Sequence, residues 1–183
     1  MKRKTAKEIL AESFKEIARK KHVDKITVKD ITDQCGYSPA TFYRQFRDKY
    51  DLIVWDYTRN IEAIMNQIET ENTTWEKVFL DAAAYFDEEK EYLANLFLHT
   101  SGLDSFISAM TQISFDYLNR WLVNKKNETR LDLEEELLLR AYCLGTANLT
   151  CEWILGKVTC TTKQLSQIYL DALPARIKKE IEE

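Results

Sequence analysis

Between Thr27 and Lys49 the chain spells two short capped helices around a glycine turn, and no other stretch limits the fold so sharply. Thr27 followed by Asp30 forms a capping box, and Ile26 and Ile31 stand where a hydrophobic staple fixes the angle of helix entry. The pattern predicts a helix that starts at about Val28 and ends near Gly36, which adopts the left-handed backbone without steric cost. Ser38 is then an N-cap, and Pro39 a first helical residue whose missing N–H is no loss. This second helix runs to about Phe46. Phe42 and Phe46, four apart, share the inward face, which leaves Ala40, Thr41, Tyr43, Arg44 and Gln45 on the outer flanks. Two helices joined in this way make a helix-turn-helix, and the flanks are its candidate reading surface.

Only four Gly and two Pro occur in 183 residues, and no sustained period-two alternation accompanies them, so an all-α fold of about nine helices is expected. Thr5 and Glu8 make a second capping box, opening a first helix through Ile9, Leu10, Phe14 and Ile17 as far as the Lys20 to Lys25 connection. Asp48 caps a long fourth helix with Leu52, Trp55, Tyr57, Ile61, Ile64 and Ile68, continuing to about Thr70. No Pro, Gly or Ser linker follows the helix-turn-helix, so this helix reads as a strut. Apolar spacing then predicts helices through Trp75 to Phe86, Tyr92 to Phe97, Ser105 to Asn124 and Leu133 to Leu155, with a polar break at Thr100, Ser101 and Gly102. A last helix carries Leu165 to Ile177, kinked at Pro174. The expected organisation is a helix-turn-helix domain over residues 1–50 and a helical regulatory and dimerisation domain over 51–183.

Charge is divided along the same line. Residues 1–50 hold 13 Lys and Arg against 7 Asp and Glu, whereas residues 51–183 hold 13 against 23, within a net charge of −4. A basic reader attached to an acidic remainder suits attraction to phosphate at one end alone. No apolar run approaches the roughly 20 residues of a membrane span, and the N-terminus lacks a signal-peptide core, so a cytoplasmic protein is expected, with no membrane contact. Cys35, Cys143, Cys151 and Cys160 form no C-x-x-C pair and read as buried free thiols. His22 and His99 lie 77 positions apart with no nucleophile elbow, phosphate loop or paired carboxylates beside either, which argues against an enzyme. Glu134, Glu135 and Glu136 point to different sides of a helix, so neither a metal nor any cofactor is expected.

Over residues 5–56 the chain resembles the TetR family of bacterial one-component transcriptional regulators. The resemblance lies in the capped second helix, Gly36-Tyr37-Ser38 in the turn, the pair Phe42 and Tyr43, and Phe46, Asp48, Lys49 and Leu52 after them. It implies Thr27 and Lys29 on the DNA backbone, and Ser38, Ala40, Thr41 and Arg44 near base edges. It also implies Tyr43 and Lys49 on phosphates, with Pro39 and Gln45 flanking them. The aromatic tract from Tyr85 to Phe97 resembles the Gram-positive subgroup that includes regulators of dihydroxyacetone kinase operons. The expected partner is a double-stranded, near-palindromic operator bound by a homodimer, with two readers about 34 Å apart. Small residues Ala141, Gly145 and Ala147 on an apolar helix allow the close approach of a second copy. Control passes through the C-terminal domain, either by a small molecule or by a partner protein. Trp75, Tyr85, Phe86, Tyr92, Phe97, Phe106 and Trp121 are the candidate ligand-binding aromatics.

Overall fold

The structure, a computed structural model, describes residues 4–70, 73–99 and 103–182. The polar break at Thr100, Ser101 and Gly102 lies outside the described residues. In chain order the helices are α1 (Ala6–Ala18), α2 (Val28–Cys35), α3 (Pro39–Gln45), α4 (Lys49–Met65), α5 (Gln67–Thr70), α6 (Trp75–Glu88), α7 (Lys90–His99), α8 (Leu103–Lys126), α9 (Leu133–Ile154), α10 (Thr162–Asp171) and α11 (Ala175–Glu182). They form two compact units, Met1–Asn60 with Glu91–Leu103, and Ile61–Lys90 with Asp104–Glu183. Residues 51–60 and most of α7 thus belong with the helix-turn-helix, which a division at residue 50 does not anticipate.

The first unit is built on α1. Thr5 and Glu8 exchange bonds as a capping box, the Glu8 carboxylate accepting from the Thr5 N–H at 2.7 Å. Leu10 and Phe14 are fully buried, each contributing about 1.5–3 kcal/mol by leaving water. The Ser13 hydroxyl donates to the Ile31 carbonyl at 2.7 Å, which ties α1 to α2. At the start of α4, the Asp48 carboxylate accepts from the N–H groups of Tyr50 (2.8 Å) and Asp51 (2.9 Å). One turn further on, Asp56 is buried and takes Lys15 of α1 at 3.1 Å and Arg59 at 3.2 Å, while Arg59 also reaches Glu8 at 3.0 Å. A charge-assisted network therefore fastens α1 to α4.

Three residues of α7 on one helical stripe join it to this unit. The Tyr92 ring meets Phe14 edge-on at 6.1 Å. Asn95 donates its amide to the carbonyls of Ala18 (2.5 Å) and Lys21 (2.9 Å), and its oxygen accepts from the Val23 N–H at 3.3 Å. The open carbonyls at the end of α1 are thus satisfied by a side chain from 74 to 77 positions away. One further turn of α7 brings His99 to the same connection, where its ring stacks on His22.

In the second unit α6 packs along α10, with Phe79 and Tyr169 at 6.1 Å. Tyr142 donates its hydroxyl to the Tyr169 carbonyl at 2.8 Å, and the Tyr169 and Thr150 hydroxyls lie 2.6 Å apart. Burial pushes both phenols well above the ordinary tyrosine range, so they stay neutral hydrogen-bonding groups. Tyr117 of α8 donates to the Met65 carbonyl at 2.8 Å, capping the end of α4. The sequence reading needs three corrections here. The single last helix predicted through Pro174 is two, because proline offers no N–H and α11 starts after it. The fourth helix is interrupted at Asn66, which separates α4 from α5. Of the four cysteines, all free, only Cys143 and Cys151 are buried, and burial pushes each thiol up to about 12; Cys35 and Cys160 are half-buried.

Along α9 the inner face buries Leu139, Cys143, Ala147 and Ile154, while Leu133, Leu137 and Leu144 on the outer side are more than half exposed. Gly145 is exposed too, and a Cβ added there would meet nothing within 4 Å.

Candidate nucleic-acid interface

The two reader helices are set by local capping chemistry. The Thr27 hydroxyl accepts from the Asp30 N–H at 3.1 Å, and the Asp30 carboxylate accepts from the Thr27 N–H at 2.8 Å. Asp30 also pairs with Lys21 at 2.8 Å, and that bond, followed by those from Thr27, lowers its pKa to about 2. The stabilisation is complete above the ordinary value of 3.8 and is lost as pH falls through about 2. Gly36 closes α2 at φ 73°, ψ 21°, and the Tyr37 N–H reaches back to the Thr32 carbonyl at 2.9 Å. Pro39 opens α3, and Phe42 and Phe46 are buried beneath it as expected.

The exposed side of α3 holds an ordered polar row. The Ser38 hydroxyl caps the Thr41 N–H at 3.1 Å and lies 3.0 Å from the Thr41 hydroxyl, which in turn accepts from the Arg44 guanidinium at 3.2 Å. Three positions at i, i+3 and i+6 thus form one line on the helix surface, with Arg44 held at its end. Ala40 and Pro39 are exposed beside it, and Gln45 is half-buried. Tyr43 is 60% exposed, its ring standing edge-on to Phe42 at 5.5 Å. Arg47, a solvent-directed cation just beyond α3, is held only loosely by Asp51 at 3.7 Å. Lys29 projects from the first turn of α2 and pairs with Asp33, whose carboxylate holds its ammonium above the ordinary lysine range.

The resemblance implies Lys49 on a phosphate, and in the DNA-free chain its ammonium is bonded within the protein. Its ammonium donates to the carbonyls of Val23 (2.7 Å), Ile26 (2.9 Å) and Asp24 (3.2 Å) in the connection before α2. All three of its hydrogens are therefore committed to the protein. Partial burial holds its pKa below the ordinary lysine value. Lys49→Met should lower the free energy of unfolding by about 1–3 kcal/mol, measured by urea denaturation, because charged hydrogen bonds to three carbonyls are lost. A variant of unchanged stability that loses about one unit of salt slope in DNA binding would return Lys49 to a phosphate contact.

The seven candidate ligand-binding aromatics are not gathered at one place. Tyr92 and Phe97 are buried in the first unit. In the second, Tyr85 and Phe86 pack on each other at 5.6 Å, and Phe106 is buried. Trp75 and Trp121, crossing edge-on at 4.9 Å, line a cavity of about 710 Å³ together with Thr74, Gln167, Leu170 and Leu173. Trp75 is buried, and its indole N–H has no hydrogen-bond partner among the described residues. The sequence reading missed the Asn95 and His99 attachments of α7, whose one available signal was the i, i+3, i+7 stripe from Tyr92.

The reader geometry agrees with the comparisons to known proteins. Residues 9–54, from α1 into the first turns of α4, match the family model of the bacterial regulatory proteins, tetR family. Over these residues the chain is a TetR-type DNA-binding domain. Among solved structures it is similar to the dihydroxyacetone kinase operon activator DhaS, at a TM-score of 0.65 and 19% identity over 96% of each chain. At that identity the likeness is one of fold, and it runs through α11. No curated protein matches the sequence. Among the described residues, no helix of this TetR-type chain is long and apolar enough to cross a membrane.

Proposed function

We propose that the protein acts as a homodimer on a near-palindromic operator, reading bases through Ser38, Thr41 and Arg44 and responding to a small molecule bound in its second unit. The ordered row on α3 is the observation that carries this reading. A guanidinium held by Thr41 at 3.2 Å loses less freedom on binding, and its planar fork suits the O6 and N7 acceptors of guanine. Thr27, Lys29 and Tyr43 serve as backbone contacts, which set register without specifying sequence. The second copy is supported by the outer face of α9, where Leu137 and Leu144 stand more than half exposed to water. Gly145 there shares a groove with Leu138, Ala141, Leu149 and with Ile168 of α10, itself 41% exposed. The effector reading rests on the Trp75 and Trp121 cavity, whose unpartnered indole N–H suits an acceptor oxygen on a compact, partly apolar molecule. Control by a partner protein is the reading that stands if no small molecule fills that cavity.

The test is Arg44→Ala. It should cost about 1–3 kcal/mol of specific binding and relax preference at one base pair per half-site, read by competition binding on operator variants. An equal loss on every sequence would reassign Arg44 to phosphate.

A further inference from the structure

The chain has two histidines, and the fold brings both to one spot. His22 stands within the connection between α1 and α2, and His99 is the last residue of α7. Their rings stack with centroids 3.7 Å apart and planes 14° from parallel. Asp24 completes the group: one ligating atom from each of the three lies within 4.8 Å of the others. Asn95, one helical turn before His99, locks α7 against the residues on either side of His22. Convergence of the two imidazoles is therefore fixed by backbone anchoring and does not depend on two surface side chains drifting together.

We propose that His22, Asp24 and His99 bind one divalent transition-metal ion of the zinc and nickel class, which clamps α7 to the connection between α1 and α2. Two imidazoles and a carboxylate are the donor set that such borderline ions accept, with water completing the shell. His22 and Asp24 are exposed and His99 is half-buried, so the ion has a path of entry. The nearly parallel rings direct their in-plane lone pairs side by side, and coordination requires each to turn about its side-chain bonds. His22, which is exposed, makes the larger part of such an adjustment readily. Asp24 is held by Lys25 at 3.1 Å, an exposed pairing that a doubly charged ion displaces. The site lies within the DNA-binding unit, so the ion would join α7 directly to the segment that carries the carbonyl partners of Lys49.

The test is calorimetric titration of the full-length chain, freed of any polyhistidine tag, with zinc and with nickel. Saturation at one ion per chain is expected. His22→Ala and His99→Ala should each weaken binding by about 100-fold or more, beyond the 10- to 100-fold typical of outer-shell losses, and Asp24→Asn by about tenfold. His99→Gln, checked by circular dichroism for helical content, serves where the alanine variant folds poorly. Cobalt should give a spectrum without thiolate charge transfer, and Cys35→Ser and Cys160→Ser should bind as wild type does. Zinc should also raise the melting temperature of wild type, and not that of His99→Gln. No binding of either ion, binding unchanged in the histidine variants, or loss of binding in a cysteine variant would each overturn the proposal.

Discussion

Gly145→Arg is expected to yield a monomer that keeps its helices and binds a full palindrome no better than a half-site. Within one chain the substitution costs little: a Cβ at Gly145 meets nothing within 4 Å, and replacing a mid-helix glycine gains about 0.5–1 kcal/mol of helix propensity. Loss of assembly is therefore separable from loss of fold. At the proposed interface a large cation would stand in the groove that Leu138, Ala141, Leu149 and Ile168 line, and burying it unpaired is prohibitive. Two tethered readers gain about 10²- to 10⁴-fold over one, and that gain should vanish. Sedimentation and binding to whole and half operators provide the measurement. A dimeric variant with normal operator affinity would place the interface on another face.

The second large effect is expected at Asp56. It is 2% exposed and holds both Lys15 and Arg59, so Asp56→Ala removes the carboxylate that offsets two cations in the packing of α1 on α4. Breaking a buried pair from one side costs about 3–5 kcal/mol, and urea denaturation should show a loss of that size. Asp56→Asn, which keeps the shape and part of the hydrogen bonding, should lose less. A loss under about 1 kcal/mol for the alanine variant would mean that hydrophobic contacts through Leu10 and Phe14 hold α1 in place without the network.

The reader was legible in the sequence because its signals are local. Thr27 with Asp30, Gly36, and Ser38 with Pro39 each act on backbone groups within a few residues, and the structure places each in the predicted role. The inward pair Phe42 and Phe46 followed from helical spacing alone. Lys49 shows where local reasoning stops. Its position at the head of α4 was plain, but its carbonyl partners lie 23 to 26 residues earlier. Asn95 is a still longer case, since nothing near it in the chain foretells acceptors at Ala18 and Lys21. For the same reason chain order groups Tyr92 and Phe97 with the regulatory aromatics, and 77 positions of sequence separate His22 from His99. Pro174 is plain in the sequence, but the choice between a kink and a break depends on whether neighbouring groups support the helix through it. Here the Pro174 carbonyl instead accepts from Ile177 (2.9 Å) and Lys178 (2.8 Å), beginning a new helix.

The most direct measurement is selection of duplexes by the full-length protein from a random-sequence DNA pool, with wild type and Arg44→Ala in parallel. A TetR-type dimer that reads through α3 should enrich a near-palindrome whose half-site centres lie about one helical turn, 10–10.5 base pairs, or a multiple of that apart. Arg44→Ala should select the same spacing with one base pair per half-site relaxed. Enrichment of a single unpaired half-site, or no enrichment above the starting pool, would contradict sequence-specific reading by a symmetric pair of these helices.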